Sequence, residues 1–126
     1  FLNTGSPHYI SYKSNISEMN IIAEAHKVRY NARFKTEGTN VNFVEKKADS
    51  LKMRTYERGV EDETLSCGTG ATAVALSASV EYKIESPILI EVEGGKLNIE
   101  FTKINDQTFE NIWLIGGATF VFSGSI

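Results

Sequence analysis

The chain has 126 residues, a formal net charge of −3 at pH 7 and a pI near 5.4. This length is typical of one domain that can bury about two thirds of its unfolded surface, so we expect a single domain over residues 1–126. The lysines and arginines are scattered among acidic residues. This pattern lacks the basic patch of a nucleic-acid-binding protein and argues against such a partner.

The chain contains one cysteine, Cys67, which excludes an internal disulfide. No N-terminal segment has the basic start, apolar stretch and cleavage site of a secretory signal. The uncharged run from Thr64 to Val80 is short for a membrane span and rich in Gly, Ser and Thr, so we expect it to be buried in protein. These features predict a cytoplasmic protein with no membrane partner. The chain begins at Phe1 without an initiator methionine, and we interpret it as a piece of a longer protein.

The first predicted helix runs from Ile16 to about Asn31. Its apolar residues recur at spacings of four, three and four, as one face of a helix requires; they are Ile21, Ala25, Val28 and Ala32. Ser17 is the expected N-cap. His26 lies off the apolar face, and we interpret it as a solvated side chain.

Strand patterns follow this helix. Residue types and partial alternation predict strands at Val41–Val44 and Leu51–Tyr56. Ile88, Ile90 and Val92 alternate with Leu89, Glu91 and Glu93, and apolar and polar residues alternate in Leu97–Phe101 on the other side of Gly94-Gly95. This pattern predicts a hairpin with one buried face.

The C-terminal segment is also rich in strand-forming residues. Ile112–Ile115 and Ala118–Phe122 flank the pair Gly116-Gly117. We interpret them as two further strands, or as one strand bent by the glycines. Trp113 is expected in the core.

Between the two groups of strands, Ala71–Val80 carries no charge and consists mostly of small residues. A helix of this composition is apolar on nearly every side and must be surrounded by protein. The elements therefore favour an α+β fold, with a mixed or antiparallel sheet wrapped around one central apolar helix and the amphipathic helix outside.

A helix that starts near Thr69 places Cys67 at its N-terminus, with the amides of Gly68, Thr69 and Gly70 among the free donors of the first turn. The positive end of a helix dipole favours a thiolate, and the same amides form a ready anion site. Spacing alone leaves two interpretations open. Cys67 is either a base or nucleophile beside an anion site, or a small apolar side chain at a helix start that needs glycine.

The segment from Arg54 to Gly70, RTYERGVEDETLSCGTG, closely resembles the second cysteine motif of diaminopimelate epimerases, the cofactor-independent enzymes of lysine biosynthesis. The short Cys-Gly-Thr-Gly piece alone is less specific, since proline racemases of the same superfamily carry a similar one. Other stretches extend the resemblance over essentially the whole chain, as the C-terminal half of that family only; they are Gly5–His8, Thr39–Phe43, Gly94–Leu97 and the glycine-broken aromatic strand.

The resemblance implies a fold of two pseudo-symmetric halves, each a sheet wrapped around a central helix, with the active site in the cleft between them. In that family one cysteine from each half faces the substrate α-carbon. One thiolate removes the proton and the other thiol delivers a proton to the opposite face, which interconverts LL- and meso-diaminopimelate. No metal and no pyridoxal cofactor is implied.

The resemblance also implies three residues for proton transfer. Cys67 corresponds to one member of the acid/base pair. Glu57 is expected to meet the distal ammonium of the substrate or to tune Cys67, and His8 to assist the partner cysteine across the cleft. Each also has a structural interpretation: Glu57 as half of a surface ion pair with Arg58, and His8 as a hydrogen-bonded residue after Pro7.

Five further residues are implied in substrate binding. Gly68 and Thr69 are expected to donate their backbone amides to the α-carboxylate. Arg58 and Asn40 are expected to bind the distal carboxylate, where a bidentate guanidinium supplies both charge and geometry. Asn40 could instead be a turn residue at a strand start. Ser6 stands where the family commonly has asparagine, so its contact with the substrate is expected to be weaker or water-mediated.

Two departures from the family pattern matter. Glu61 makes the loop before Cys67 one residue longer than in many members, and the N-terminal half with its own cysteine-glycine motif is missing. Our first interpretation is the C-terminal domain of a diaminopimelate epimerase, catalytic in the full protein and inactive alone. The alternatives are a non-catalytic amino-acid-binding module of the same fold and a proline-racemase-like enzyme. A homodimer is left open.

Overall fold

Eight strands form one mixed sheet in the computed structural model, which describes residues 1–126. The strands are β1 (Leu2–Asn3), β2 (Pro7–Tyr12), β3 (Asn40–Lys46), β4 (Leu51–Glu57), β5 (Asp62–Thr64), β6 (Ile88–Val92), β7 (Gly95–Asn105) and β8 (Thr108–Gly116). Two α-helices, α1 (Ile21–Arg29) and α2 (Gly68–Glu81), and a 3-10 helix at Ile16–Glu18 complete the chain. The expected α+β class is confirmed.

The strand order is β1-β2-β3-β4-β6-β7-β8, with β5 paired to β4 off this path. The pairs β2–β3 and β4–β6 are parallel, and the other pairs are antiparallel. His8 lies opposite Asn40 across β2–β3, and Asn42 lies opposite Thr55 across β3–β4. This register brings polar side chains of three neighbouring strands together.

The two faces of the sheet pack against different helices. Alternation along β3 directs Val41 and Phe43 to one face, where they pack with Ile21 and Ala25 of the α1 segment. The other face packs against α2 and forms the larger cluster, to which β4 contributes Met53. Burying a side chain of this size stabilises the fold by about 1.5–3 kcal/mol.

Helix α2 lies where its small, apolar composition requires. It touches strands β1, β2, β3, β6, β7 and β8, and its buried residues are Gly70, Ala71, Ala73, Val74, Ala75, Leu76, Ala78 and Ser79. Small side chains on so many sides let several strands approach the helix closely. Neither helix is long and apolar enough to cross a membrane.

The first helix begins later than predicted. Residues Ile16–Glu18 form a separate 3-10 helix, and α1 starts only at Ile21. The N-cap is Asn20 rather than Ser17, because the Asn20 side chain accepts a hydrogen bond of 3.1 Å from the amide of Ala23.

The predicted strands and hairpin are confirmed, but the C-terminal segment differs from prediction. Only β8 forms there, and residues 118–126 have no regular structure. Trp113 is 65% exposed, so its expected place in the core is wrong. Trp113 lies opposite the exposed Glu100, and its neighbours Ile112, Leu114 and Ile115 are exposed as well, because nothing in this chain covers the edge strand β8.

Candidate functional site

The N-terminus of α2 forms the centre of the candidate site. Cys67 is the N-cap residue, with an extended backbone (φ −139°, ψ 106°) and no side-chain cap bond. Its carbonyl accepts the first helical hydrogen bond, from Ala71 at 2.8 Å. The amides of the first turn therefore have no partner within the helix and can bind an anion.

An open cleft with a volume of about 490 Å³ lies in front of this turn. It is lined by Thr4, Glu57, Ser66, Cys67, Gly68, Thr69, Thr72 and Leu114. Four of the residues predicted from sequence thus meet at one cleft: a carboxylate, a free thiol that is partly exposed, and two residues of the helix start. A carboxylate, a thiol and backbone donors are the groups needed to bind an amino acid and move its proton.

His8 lies behind the cleft and is fully buried. Its Nε2 atom is 2.9 Å from the Thr69 hydroxyl, and its Nδ1 atom is 3.1 Å from the Asn42 side-chain nitrogen. Burial, assisted by the positive charge of Arg58, lowers the pKa of His8 to about 4. The ring is therefore neutral at physiological pH.

Asn40 joins the remaining predicted residues. Its side-chain nitrogen donates to Ser6 Oγ at 2.8 Å and to the Pro7 carbonyl at 2.9 Å, and its oxygen accepts from the Arg58 amide at 2.8 Å. The Arg58 guanidinium is exposed and donates to the Glu37 carbonyl at 2.9 Å. Since all of these Asn40 bonds go to protein groups, Asn40 positions the segments that carry Ser6 and Arg58.

The predicted residues thus form two groups. Cys67 and its neighbours line the cleft, Asn40 holds the second group, and His8 touches the first group through Thr69. Sequence reasoning missed Asn42 and Thr55, which are both buried; Asn42 contacts His8, and Thr55 contacts Asn42. The available signal was Asn42 itself, a polar residue between the apolar residues Val41 and Phe43.

The sequence profile of the diaminopimelate epimerase family matches residues 1–121. A diaminopimelate epimerase of Flavobacterium psychrophilum is 48% identical over 128 residues, which cover 100% of this chain and 50% of that protein. One of Chlorobaculum tepidum is 42% identical over 129 residues, covering 100% of this chain and 49% of that protein. The chain spans about half the length of these relatives.

Solved structures of the phenazine biosynthesis protein PhzF family resemble the fold. The Bacillus anthracis protein has a TM-score of 0.58 at 22% identity, over 83% of this chain and 33% of that one. The Enterococcus faecalis protein has a TM-score of 0.56 at 18% identity, over 77% and 33%. Likeness at this level of identity shows the fold alone. The profile match and the relatives together show that the chain belongs to the diaminopimelate epimerase family.

Proposed function

We propose that this chain is the C-terminal half of a diaminopimelate epimerase and that Cys67 is one of its two acid/base groups. The observation that carries the proposal is the meeting of Cys67, Glu57 and the first turn of α2 at one cleft. The names of the relatives supply the substrate. The reaction would interconvert LL- and meso-diaminopimelate, as a step of lysine biosynthesis.

The helix start fits the proposed chemistry. In one direction the Cys67 thiolate takes the α-proton and a thiol on the opposite face donates one; in the other direction the roles exchange. The amides of Gly68 and Thr69 would bind the α-carboxylate and stabilise the charge that develops as the α-carbon loses its proton. This two-thiol chemistry needs no metal and no pyridoxal cofactor.

The far end of the substrate would be held by the second group of residues. The exposed Arg58 guanidinium can bind a distal carboxylate in two parallel hydrogen bonds, and Asn40 would hold the Arg58 segment in place. Ser6, bonded to Asn40, stands at the edge of this group. Glu57 lines the cleft and would meet the distal ammonium or act on Cys67.

A second half of the protein would cover the cleft. One line of support is length, since the chain spans about half the length of its relatives. Another is the row of apolar side chains that β8 leaves exposed, among them Leu114 at the cleft. In this proposal the N-terminal half carries the second cysteine and α2 is the central helix of one of two pseudo-symmetric halves. A catalytic free thiol fits a reducing compartment such as the cytoplasm.

The test is an activity assay on the intact two-half protein with LL-diaminopimelate, meso-diaminopimelate and L-proline as separate substrates. We expect interconversion of the diaminopimelate isomers and no racemisation of proline. Binding of diaminopimelate without turnover would favour the amino-acid-binding module, and turnover of proline alone would favour the racemase-like alternative. Ser79→Ala, which removes a buried hydroxyl at the far end of α2 from the cleft, should leave the measured activity unchanged.

A further inference from the structure

A continuous path of side-chain hydrogen bonds runs through the core to the thiol; its members are Thr55, Asn42, His8, Thr69 and Cys67. The Thr55 hydroxyl lies 2.9 Å from Asn42 Oδ1, and Asn42 Nδ2 lies 3.1 Å from His8 Nδ1. His8 Nε2 lies 2.9 Å from the Thr69 hydroxyl, which lies 3.6 Å from the Cys67 sulfur. Three strands and the start of α2 each contribute to this path.

A backbone carbonyl sets the direction of the path. Asn42 Nδ2 lies 3.1 Å from the carbonyl oxygen of Tyr9, which can only accept a hydrogen bond. The opposite end of the amide accepts from the Thr55 hydroxyl. These two contacts fix the orientation of the amide, so the nitrogen of Asn42 must face His8.

The protonation of His8 follows from that orientation. Because Asn42 donates to Nδ1, the neutral ring carries its proton on Nε2 and donates it to the Thr69 oxygen. The burial that lowers the pKa of His8 to about 4 keeps the ring in this neutral form. The hydroxyl hydrogen of Thr69 is then free to point at the sulfur.

We propose that Asn42 and Thr55 are positioning residues of the epimerase site, which lock His8 as the Nε2–H tautomer and so commit the Thr69 hydroxyl to donate to the Cys67 thiolate. The inference rests on the proposed function. It adds a contact of His8, through Thr69, to the cysteine of its own half. A hydrogen bond to a charged acceptor is about twice as strong as a neutral one, so the path favours the thiolate form of Cys67.

The inner part of the path is tightly packed, whereas Thr69 is exposed and Cys67 partly exposed. His8 and Asn42 are fully buried and Thr55 nearly so. A methyl group at Gly70 would lie 2.8 Å from Asn42 Oδ1 and 3.1 Å from His8 Cε1, which leaves no space for a side chain between the helix and the path. The His8 ring is thus held in place beside Thr69.

The first arm of the test is the ¹⁵N NMR spectrum of the histidine rings in the 126-residue chain. The chain has two histidines, and His26→Gln identifies the signals of His8. We expect the Nε2–H tautomer at pH 7 in the unsubstituted chain, and a mixture of tautomers in Thr55→Val and Asn42→Ala. Ser79→Ala, which removes an equally buried hydroxyl outside the path, should leave the tautomer unchanged.

The second arm is the rate of alkylation of Cys67, the only cysteine, by iodoacetamide as a function of pH. Thr69→Val should raise the pH of half-maximal rate by about one unit, the equivalent of one hydrogen bond to a charged group. Thr69→Ser should restore it, and Thr55→Val should raise it by less. A residue that only supports the fold would change stability and leave this profile in place.

An Nδ1–H or cationic His8 in the unsubstituted chain would overturn the inference, and this measurement needs no variant. A Thr55→Val chain that folds with both the tautomer and the alkylation profile unchanged would also overturn it. Neither arm uses diaminopimelate. Failure of the path is therefore distinguishable from failure of the proposed function, which the activity assay tests separately.

Discussion

Gly70 lies where α2 closely approaches side chains of strands β2 and β3. A Cβ atom there would lie 2.8 Å from Asn42 Oδ1 and 3.3 Å from the Cys67 sulfur. The Asn42 side chain is buried and hydrogen-bonded at both ends of its amide, so it cannot move away as a free side-chain end can. A glycine at this position is therefore a requirement of packing, in addition to any role for its amide.

We expect Gly70→Ala to destabilise the chain by about 1–3 kcal/mol, the usual cost of forcing an extra methyl group into a packed core. Urea denaturation measures the change. Gly117→Ala is the matched control, since a Cβ at Gly117 meets nothing within 4 Å and the backbone there is not left-handed. Equal stabilities of the two variants would contradict the tight contact at Gly70.

His8 should make stability depend on pH. Its pKa is about 4 in the folded chain and near 6.5 when unfolded, so between these values the unfolded state binds more protons. Stability should be unaffected by this group above pH 6.5 and should fall as the pH drops from 6.5 to 4, by up to about 1.4 kcal/mol per pH unit.

The measurement is the free energy of unfolding from urea titrations at several pH values. His8→Asn should flatten the slope between pH 6.5 and 4. A slope in that window that is the same with and without His8 would contradict the neutral, buried ring.

At the scale of elements, the turn between β4 and β5 is tied to α1 by one carboxylate. Glu61, with a left-handed backbone (φ 58°), accepts hydrogen bonds from Arg29 at 2.9 Å, Tyr56 at 3.0 Å and Tyr30 at 3.1 Å. The residue that lengthens the loop before Cys67 therefore anchors that loop to the helix. Partial burial raises the pKa of Glu61, but the hydrogen bonds, led by that from Arg29, outweigh it and lower the pKa to about 2.

We expect Glu61→Gln to lower stability at pH 7 by about 1–2 kcal/mol, as a hydrogen-bonded carboxylate is replaced by a neutral group. Because the folded pKa is depressed, the carboxylate stabilises the fold above its ordinary value of 4.5, and this contribution is lost as the pH falls toward 2. Urea titrations of the variant should show a weaker pH dependence in that window. Glu100→Gln, on the exposed side of β7, is the control and should match the unsubstituted chain.

Elements differed in how well the sequence predicted them. The hairpin of β6 and β7 followed from the alternation of apolar residues along both strands, because one buried face imposes a period of two. Helix α2 followed from its uncharged composition, and its start from Cys67. The start of α1 was missed since two polar residues, Ser17 and Asn20, can each cap a helix and only the tertiary structure selects between them.

At the scale of the whole molecule, the edge strand β8 exposes a row of apolar side chains; they are Ile112, Trp113, Leu114 and Ile115. A sequence pattern shows that such residues avoid water but not which protein surface covers them. Trp113 was expected in the core for that reason. The proposed N-terminal half would supply a covering surface that this chain lacks.

The same limit applied to the site. Motif resemblance predicted that Cys67, Glu57 and Thr69 belong to one site, and in the structure all three line one cleft. It could not predict the hydrogen bonds of Asn42 and Thr55, because these depend on the parallel pairing of β2 with β3 and on the register of β3 with β4. Neither pairing follows from the pattern of a single strand.

Trp113→Ala should change the free energy of unfolding of this chain by no more than about 0.5 kcal/mol, as for other exposed residues. In the intact protein the same change should weaken the association of the two halves and lower the melting temperature. Lys96→Ala, another exposed position on the sheet, should have little effect in either form. A large loss of stability in the isolated chain would contradict the exposed position of Trp113.

The central claim is that Cys67 serves one face of the substrate α-carbon. The most direct measurement is α-hydrogen exchange in deuterated water by the intact protein carrying Cys67→Ala, with LL- and meso-diaminopimelate supplied separately. We predict that epimerisation is lost while the partner thiolate still exchanges the α-hydrogen of one isomer, because each thiol reaches one face only. Equal exchange from both isomers, or epimerisation at the unsubstituted rate, would contradict the assignment of Cys67 as one of the two acid/base groups.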